Sequence, residues 1–246
     1  MANERIGIIG GTGWLGGALA RALLETGFTP ADQLIVSNRS GRHPLADTGA
    51  QVMADNQALV DASDVVILSV RPEQFKALNI QASGKRVISL MAGVTSRAIR
   101  SATGACVVVR AMPNAAIEIR QSFTPWHCAQ GLNDADVAFI QGLFECVGTA
   151  SRVPTEEGID YLSALSGTGP AFPALLMTAL TRQAARGVVV SASQLLANHD
   201  PQAMIDSLVA YKGVTAAALQ CLIDAGFGEQ IGRAVQAGAD VARKGM

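Results

Sequence analysis

Charge and aromatic rings are scarce in this 246-residue chain: 16% of its residues are Asp, Glu, Lys or Arg, and 4% are Phe, Trp or Tyr. Globular sequences usually carry roughly 25% charged residues, so a lone monomer has few charges with which to cover its surface. A sizeable subunit interface is expected. The 19 basic residues against 20 acidic ones leave a net charge of −1, and no basic run is present to track a phosphate backbone. Nucleic acid is not expected as a partner. No stretch reaches the ~20 uninterrupted apolar residues of a membrane span, and glycines interrupt the apolar start before it makes a signal-peptide core. The expectation is a cytoplasmic protein with no membrane partner. Cys106, Cys128, Cys146 and Cys221 stand far apart, with neither a CxxC pair nor a Cys/His cluster at metal-ligand spacing. They read as buried free thiols, with no metal. His43, His127 and His199 have no neighbour pattern that points to catalysis.

What the chain has is apolar residues, 49% of the total, and 25 glycines, enough for one or two packed domains. Up to about residue 153, short apolar runs alternate with helical stretches. Strands are predicted at 6–10, 34–37, 65–70, 87–90 and 107–110, and helices at 14–25, 56–61, 73–78 and 96–102. That alternation is the mark of βαβ units around a parallel sheet. A doubly wound α/β domain of the Rossmann type over residues 1–153 follows. From Pro154 onward Ala, Leu and Gln take over, and helices are predicted at 156–165, 170–185, 192–197, 202–211, 215–224 and 228–244. Residues 154–246 read as a smaller all-α domain for dimerisation and substrate binding. Its β-branched cluster Val188–Val190 is expected to be a buried crossing or a break.

Gly11-Thr12-Gly13-Trp14-Leu15-Gly16 is a GxGxxG placed after a predicted strand and at the opening of a helix. In such a loop the glycines permit a tight turn, close approach to a pyrophosphate and close packing of helix on strand. The helix start adds unpaired N–H groups and a positive dipole end. A dinucleotide is therefore expected here. An NAD site ends its second strand in Asp or Glu to bond the ribose 2′-OH, whereas this chain has Ser37-Asn38-Arg39-Ser40. A guanidinium and small donors suit a 2′-phosphate, so NADP(H) is favoured; the alternative is that Arg39 is a solvated loop arginine. Ser166-Gly167-Thr168-Gly169-Pro170 describes either a tight helix start that approaches a ligand or a packed turn between helices.

Taken together with Ile8–Gly16, Ala54-Asp55-Asn56, Leu68-Ser69-Val70-Arg71-Pro72, Ala92-Gly93-Val94-Thr95, Arg110-Ala111-Met112-Pro113-Asn114 and the closing stretch from Thr215 to Arg243, this motif makes the chain resemble the pyrroline-5-carboxylate reductase family. Those are enzymes that reduce a cyclic imine to proline with NAD(P)H. The resemblance implies that Gly11, Thr12, Gly13, Trp14, Leu15 and Gly16 lie under the pyrophosphate. It implies that Asn38, Arg39, Ser40 and Asn56 surround the adenosine ribose and its phosphate. Val70, Arg71 and Pro72 match strand-end cofactor contacts, and Ala92, Gly93, Pro113 and Asn114 match positions near the nicotinamide. Thr215 matches the catalytic threonine beside the imine nitrogen, and Lys212, Gly213, Val214 and Thr215 fall in the segment that binds the small-molecule substrate. A homodimer or higher homo-oligomer is implied too.

The chain departs from the family pattern in four places, one of them the absence of the glycine expected near Ser122. Ala210-Tyr211-Lys212-Gly213 replaces serine-proline-glycine-glycine, Asn114-Ala115-Ala116 replaces asparagine-threonine-proline, and the helical region near 185–195 is shorter by on the order of 10–15 residues. The reaction expected is NADPH-dependent reduction of a cyclic imine carboxylate, pyrroline-5-carboxylate first. Two other readings stay open: a different imine or carbonyl substrate, and a non-catalytic NADP-binding protein.

Overall fold

Apolar residues on both faces of the strands require cover on both sides, and the computed structural model provides it with helices on each face of one eight-stranded sheet. Residues 4–37, 45, 48–179 and 182–244 are described. The strands are β1 (Ile6–Ile9), β2 (Leu34–Ser37), β3 (Gln51–Met53), β4 (Val65–Leu68), β5 (Arg86–Ser89), β6 (Val107–Ala111), β7 (Ser122–Cys128) and β8 (Gly148–Arg152), in the order β3-β2-β1-β4-β5-β6-β7-β8. The first six run parallel, while β7 is antiparallel to β6 and parallel to β8. Side chains alternate between the faces as strand geometry dictates. Ile6, Ile8, Val65, Ile67, Ile88 and Val109 meet α1 (Trp14–Glu25) and a helix at Asp134–Glu145 on one face. Ile9, Val66, Leu68, Val87 and Val108 meet α2 (Asn56–Asp61), α3 (Pro72–Phe75) and α4 (Ser96–Thr103) on the other. This is the doubly wound arrangement expected from the sequence.

The Asp134–Glu145 helix, α5, was not anticipated, nor were β3, β7 and β8. β7 hides in the sequence because its buried residues include Ser122 and Thr124, and Pro125 stands in its middle. Their hydroxyls face each other at 3.2 Å, so burial leaves neither without a partner. Trp126, fully buried on the same strand, donates from Nε1 to Gln141 of α5 at 3.0 Å.

The chain divides into two compact units, one running to Gly167 and resumed from Gly238, the other Thr168–Ala237. The first unit runs past the expected domain border at 153/154 because α6 (Glu156–Thr168) is fastened to β6 by ion pairs of Arg110 with Glu156, 3.0 Å, and Asp160, 2.9 Å. The last turns of α11 (Phe227–Lys244) also join it, with Ala239 fully buried.

The second unit is helical: α7 (Ala171–Ala179), α8 (Arg182–Leu196), α9 (Pro201–Ala210), α10 (Val214–Asp224) and the start of α11. Val188–Val190 is neither a crossing nor a break. It lies within α8, with Val188 and Val190 exposed. Of the predicted helix 170–185, residues 171–179 lie in α7 and 182–185 in α8, with 180 and 181 outside the described residues, and 192–197 is the end of α8. The expectation of four buried cysteines also needs correction, since Cys128 is buried and Cys146 half-buried, but Cys106 and Cys221 are exposed. Burial pushes the Cys128 and Cys146 thiols above their ordinary range.

Candidate active site

In an open α/β sheet the crevice forms beyond the carboxyl ends of the strands, where the order reverses. Here that place lies after β1, flanked by β2 and β4, and it holds a cleft of about 800 Å³. Thr12, Gly13, Trp14, Leu15, Asn56, Val70 and Arg71 line it, so the structure gathers seven of the predicted cofactor residues. Gly11 and Gly16 are buried behind the lining. Gly16 is a glycine because a Cβ there would come within 2.6 Å of the Gly10 carbonyl and 3.0 Å of Ser69 Oγ. Gly10, which the sequence reading passed over, turns the chain out of β1 at φ +80, and a Cβ on it would lie 2.4 Å from the Ser69 carbonyl. A glycine immediately before GxGxxG was its only signal.

α1 begins at Trp14 with Gly13 as N-cap, no side-chain cap and no acidic residue in its first turn. Its leading N–H groups and dipole are therefore not countered from within its own first turn, as suits an anion site. The Trp14 indole is largely exposed and donates from Nε1 to Glu118. Ser37 at the end of β2 donates to Asn56 Oδ1 at 2.7 Å, fixing that amide at the rim. Ser37 lines the cleft too, as do Ser69, Gln74 and Leu90, which the sequence does not single out as site residues. Arg71 is strongly exposed, 3.9 Å from Glu73, and its backbone N–H donates to Gln74 Oε1 at 3.3 Å, with Pro72 as the first residue of α3. Asn38, Arg39 and Ser40 lie outside the described residues, as does His43.

Ala92, Gly93, Pro113 and Asn114 do not line this cleft. They lie on the loops that leave β5 and β6, where Pro113 is buried and the other three half-buried. Lys212, Gly213, Val214 and Thr215 come together in the second unit at the start of α10, for which Gly213 is the N-cap without a side-chain cap. Lys212 adopts φ +55, and Tyr211 and Val214 are 84% and 90% exposed. Ser166-Gly167-Thr168 ends α6 instead of opening a helix, and α7 starts after Gly169-Pro170. His127 holds the Val153 carbonyl through Nδ1 at 2.9 Å, and His199 holds that of Leu195 at 2.8 Å. Both are occupied with backbone carbonyls.

A second cluster, unforeseen in the sequence, surrounds Arg110. Its guanidinium is almost fully buried between Glu156 and Asp160, and its Nε has no hydrogen-bond partner. Burial alone would raise the Glu156 carboxyl. The N–H of Ser96, the Arg110 guanidinium and the Ser96 hydroxyl outweigh it and hold that carboxyl below its ordinary value.

Two family models match the chain. One, described as NADP oxidoreductase, coenzyme F420-dependent, spans residues 5–93, and one for pyrroline-5-carboxylate reductase dimerisation spans 156–245. A pyrroline-5-carboxylate reductase of Pasteurella multocida is 31% identical over 253 residues, 90% of each chain. Another, of Synechocystis sp., is 27% identical and covers 95% of each. The crystal structure of Plasmodium falciparum pyrroline carboxylate reductase, with NADP bound, superposes with a TM-score of 0.85 over 99% of this chain and 98% of that one. At 21% identity, that likeness is one of fold.

Proposed function

The chain belongs to the pyrroline-5-carboxylate reductase family, and from that premise we propose that it reduces pyrroline-5-carboxylate to proline with NADPH. The observation that carries the proposal is the glycine-built cleft after β1, joined in one chain to a helical segment of the reductase dimerisation type. The residues present suit a dinucleotide. The volume lies in the range of small-molecule and cofactor sites, Gly10 and Gly16 leave backbone where a Cβ would clash, and the start of α1 offers bare N–H donors.

Gly11–Gly16 would hold the pyrophosphate, Asn38, Arg39, Ser40 and Asn56 the adenosine ribose and its 2′-phosphate, and Val70, Arg71 and Pro72 would be strand-end contacts of the cofactor. Ala92, Gly93, Pro113 and Asn114 would border the nicotinamide. When bound, the reduced cofactor supplies the hydride. The protein's own work is placement and exclusion of water. The N–H groups at the start of α10, with Lys212 and Gly213 before them, receive the substrate carboxylate. The Thr215 hydroxyl bonds the imine nitrogen. An imine that enters protonated needs no strong general acid, which agrees with His127 and His199 being bound to backbone carbonyls.

The proposed assembly is a homodimer or a higher homo-oligomer. Among the described residues of the second unit, only Ala185 and Val235 are buried, while Leu175, Tyr211, Val214 and Ile223 lie more than half exposed. Such a unit has almost no core of its own, and a second copy supplies the missing cover. No helix among the described residues is long and apolar enough to cross a membrane. The free thiols support placing the protein in the reducing cytoplasm.

The test is NADPH oxidation with pyrroline-5-carboxylate, beside a blank and a six-membered imine. Turnover of the five-membered substrate is expected; NADPH binding without turnover of either imine sinks the proposal. For the cofactor assignment, Arg39→Ala should weaken NADPH by about 1.5–3 kcal/mol and leave NADH nearly unchanged in a binding titration. Equal losses would remove Arg39 from the 2′-phosphate site.

A further inference from the structure

The Ser166–Pro170 motif and the Arg110 cluster are the two features that the reaction, as laid out, does not use. Both meet on α6. At its first turn, Glu156 receives the Ser96 N–H at 2.7 Å, the Ser96 hydroxyl at 3.0 Å and Arg110 at 3.0 Å. Ser96 opens α4, directly after the 92–95 loop, and Arg110 sits on β6 just before Met112-Pro113-Asn114. At its last turn, buried Ser166 accepts from Asn114 Nδ2 at 3.1 Å and donates to the Phe123 carbonyl of β7 at 3.0 Å.

Asn114 is held from every side. Its Oδ1 accepts the Ala116 N–H at 2.9 Å, its own N–H donates to Ser122 Oγ at 3.0 Å, and its amide nitrogen reaches Ser166. A side chain whose oxygen and nitrogen are both engaged by protein groups sets the shape of a turn before it contacts any ligand. α6 is thus a bar pinned at both ends to the two loops that leave β5 and β6.

We propose that Ser166 is a positioning residue: through Asn114 it fixes the 112–114 turn, and with it the placement of the nicotinamide ring against the imine. The inference rests on the reductase reading above, and it gives the serine of the motif a mechanical task with no contact to substrate. Misplacement by about 1 Å costs up to about 100-fold in rate when chemistry depends on orientation, whereas phosphate-side binding is untouched by it.

The experiment is a double-mutant cycle of Ser166→Ala and Asn114→Ala. Four readouts are followed: NADPH affinity by fluorescence, kcat, KM for the imine, and the deuterium isotope effect with cofactor labelled at the transferred position. For Ser166→Ala the expected results are kcat lower by about 10- to 100-fold, NADPH Kd within about twofold, and a larger isotope effect as hydride transfer becomes limiting. The double variant should lose no more than the worse single one, since both break one link. An unchanged kcat, a full sum of losses in the double variant, or NADPH affinity falling in step with kcat overturns the proposal while leaving the reductase reading intact. A wild-type chain that turns over neither imine overturns the reductase reading, and this inference falls with it.

Discussion

The two units of this chain solve opposite problems with similar apolar content. In the first, strands such as β1 and β4 have every residue buried, and helices cover the sheet on both faces. In the second, helices α9 and α10 bury no residue at all, although α10 opens with valine and carries Leu222 and Ile223. A closed core lets the first unit hold a cofactor cleft as a single chain. An open one leaves apolar side chains of the second unit for the proposed second copy to cover.

Phe144→Ala removes a fully buried ring between α5 and the sheet and should cost about 3–5 kcal/mol, read from the urea midpoint. A loss below about 1 kcal/mol would mean that this unit is not closed. On the other side, Leu175→Asp introduces a charge on an exposed apolar position of α7. Subunit association should weaken by at least about 1.4 kcal/mol, tenfold, in sedimentation equilibrium, while NADPH affinity stays within about twofold. Unchanged association would remove that face from the interface.

Smaller in effect is the pH dependence of the α6 anchor. Since the Glu156 carboxyl is held below its ordinary value in the folded protein, its contribution is present above the ordinary glutamate range and fades as pH falls through the depressed value. The difference in urea midpoint between wild type and Glu156→Gln should therefore be largest near neutrality and shrink in acid; a constant difference would refute the anchor. The smallest change expected is at Lys212, whose φ of +55 suits glycine. Lys212→Gly should raise stability by about 0.5–1 kcal/mol, seen as a higher melting temperature.

Much of this was legible in the sequence. The parallel strands are runs of β-branched and apolar residues, so β1, β2, β4, β5 and β6 emerged where expected, and the glycine loop places Thr12 to Leu15 on the wall of a cleft. β7, β8 and the Arg110 cluster did not. Ser122, Thr124, Gly148 and Thr149 have no apolar pattern to betray a strand, and a buried arginine resembles a surface one until its carboxylates, 46 and 50 residues away, are brought to it.

The sequence by itself determined the class of fold, the glycine loop and the family, because each is written in local signals: strand-length apolar runs, glycines at fixed spacing, and motifs in a fixed order. Only the tertiary structure decided that α6 belongs with the sheet and not with the helices after it, that Ser166 holds Asn114, and that α9 and α10 are left uncovered in a single chain. Those outcomes depend on which distant groups satisfy a buried charge or hydroxyl, and on how much apolar surface remains once the core is closed. No local pattern encodes either one.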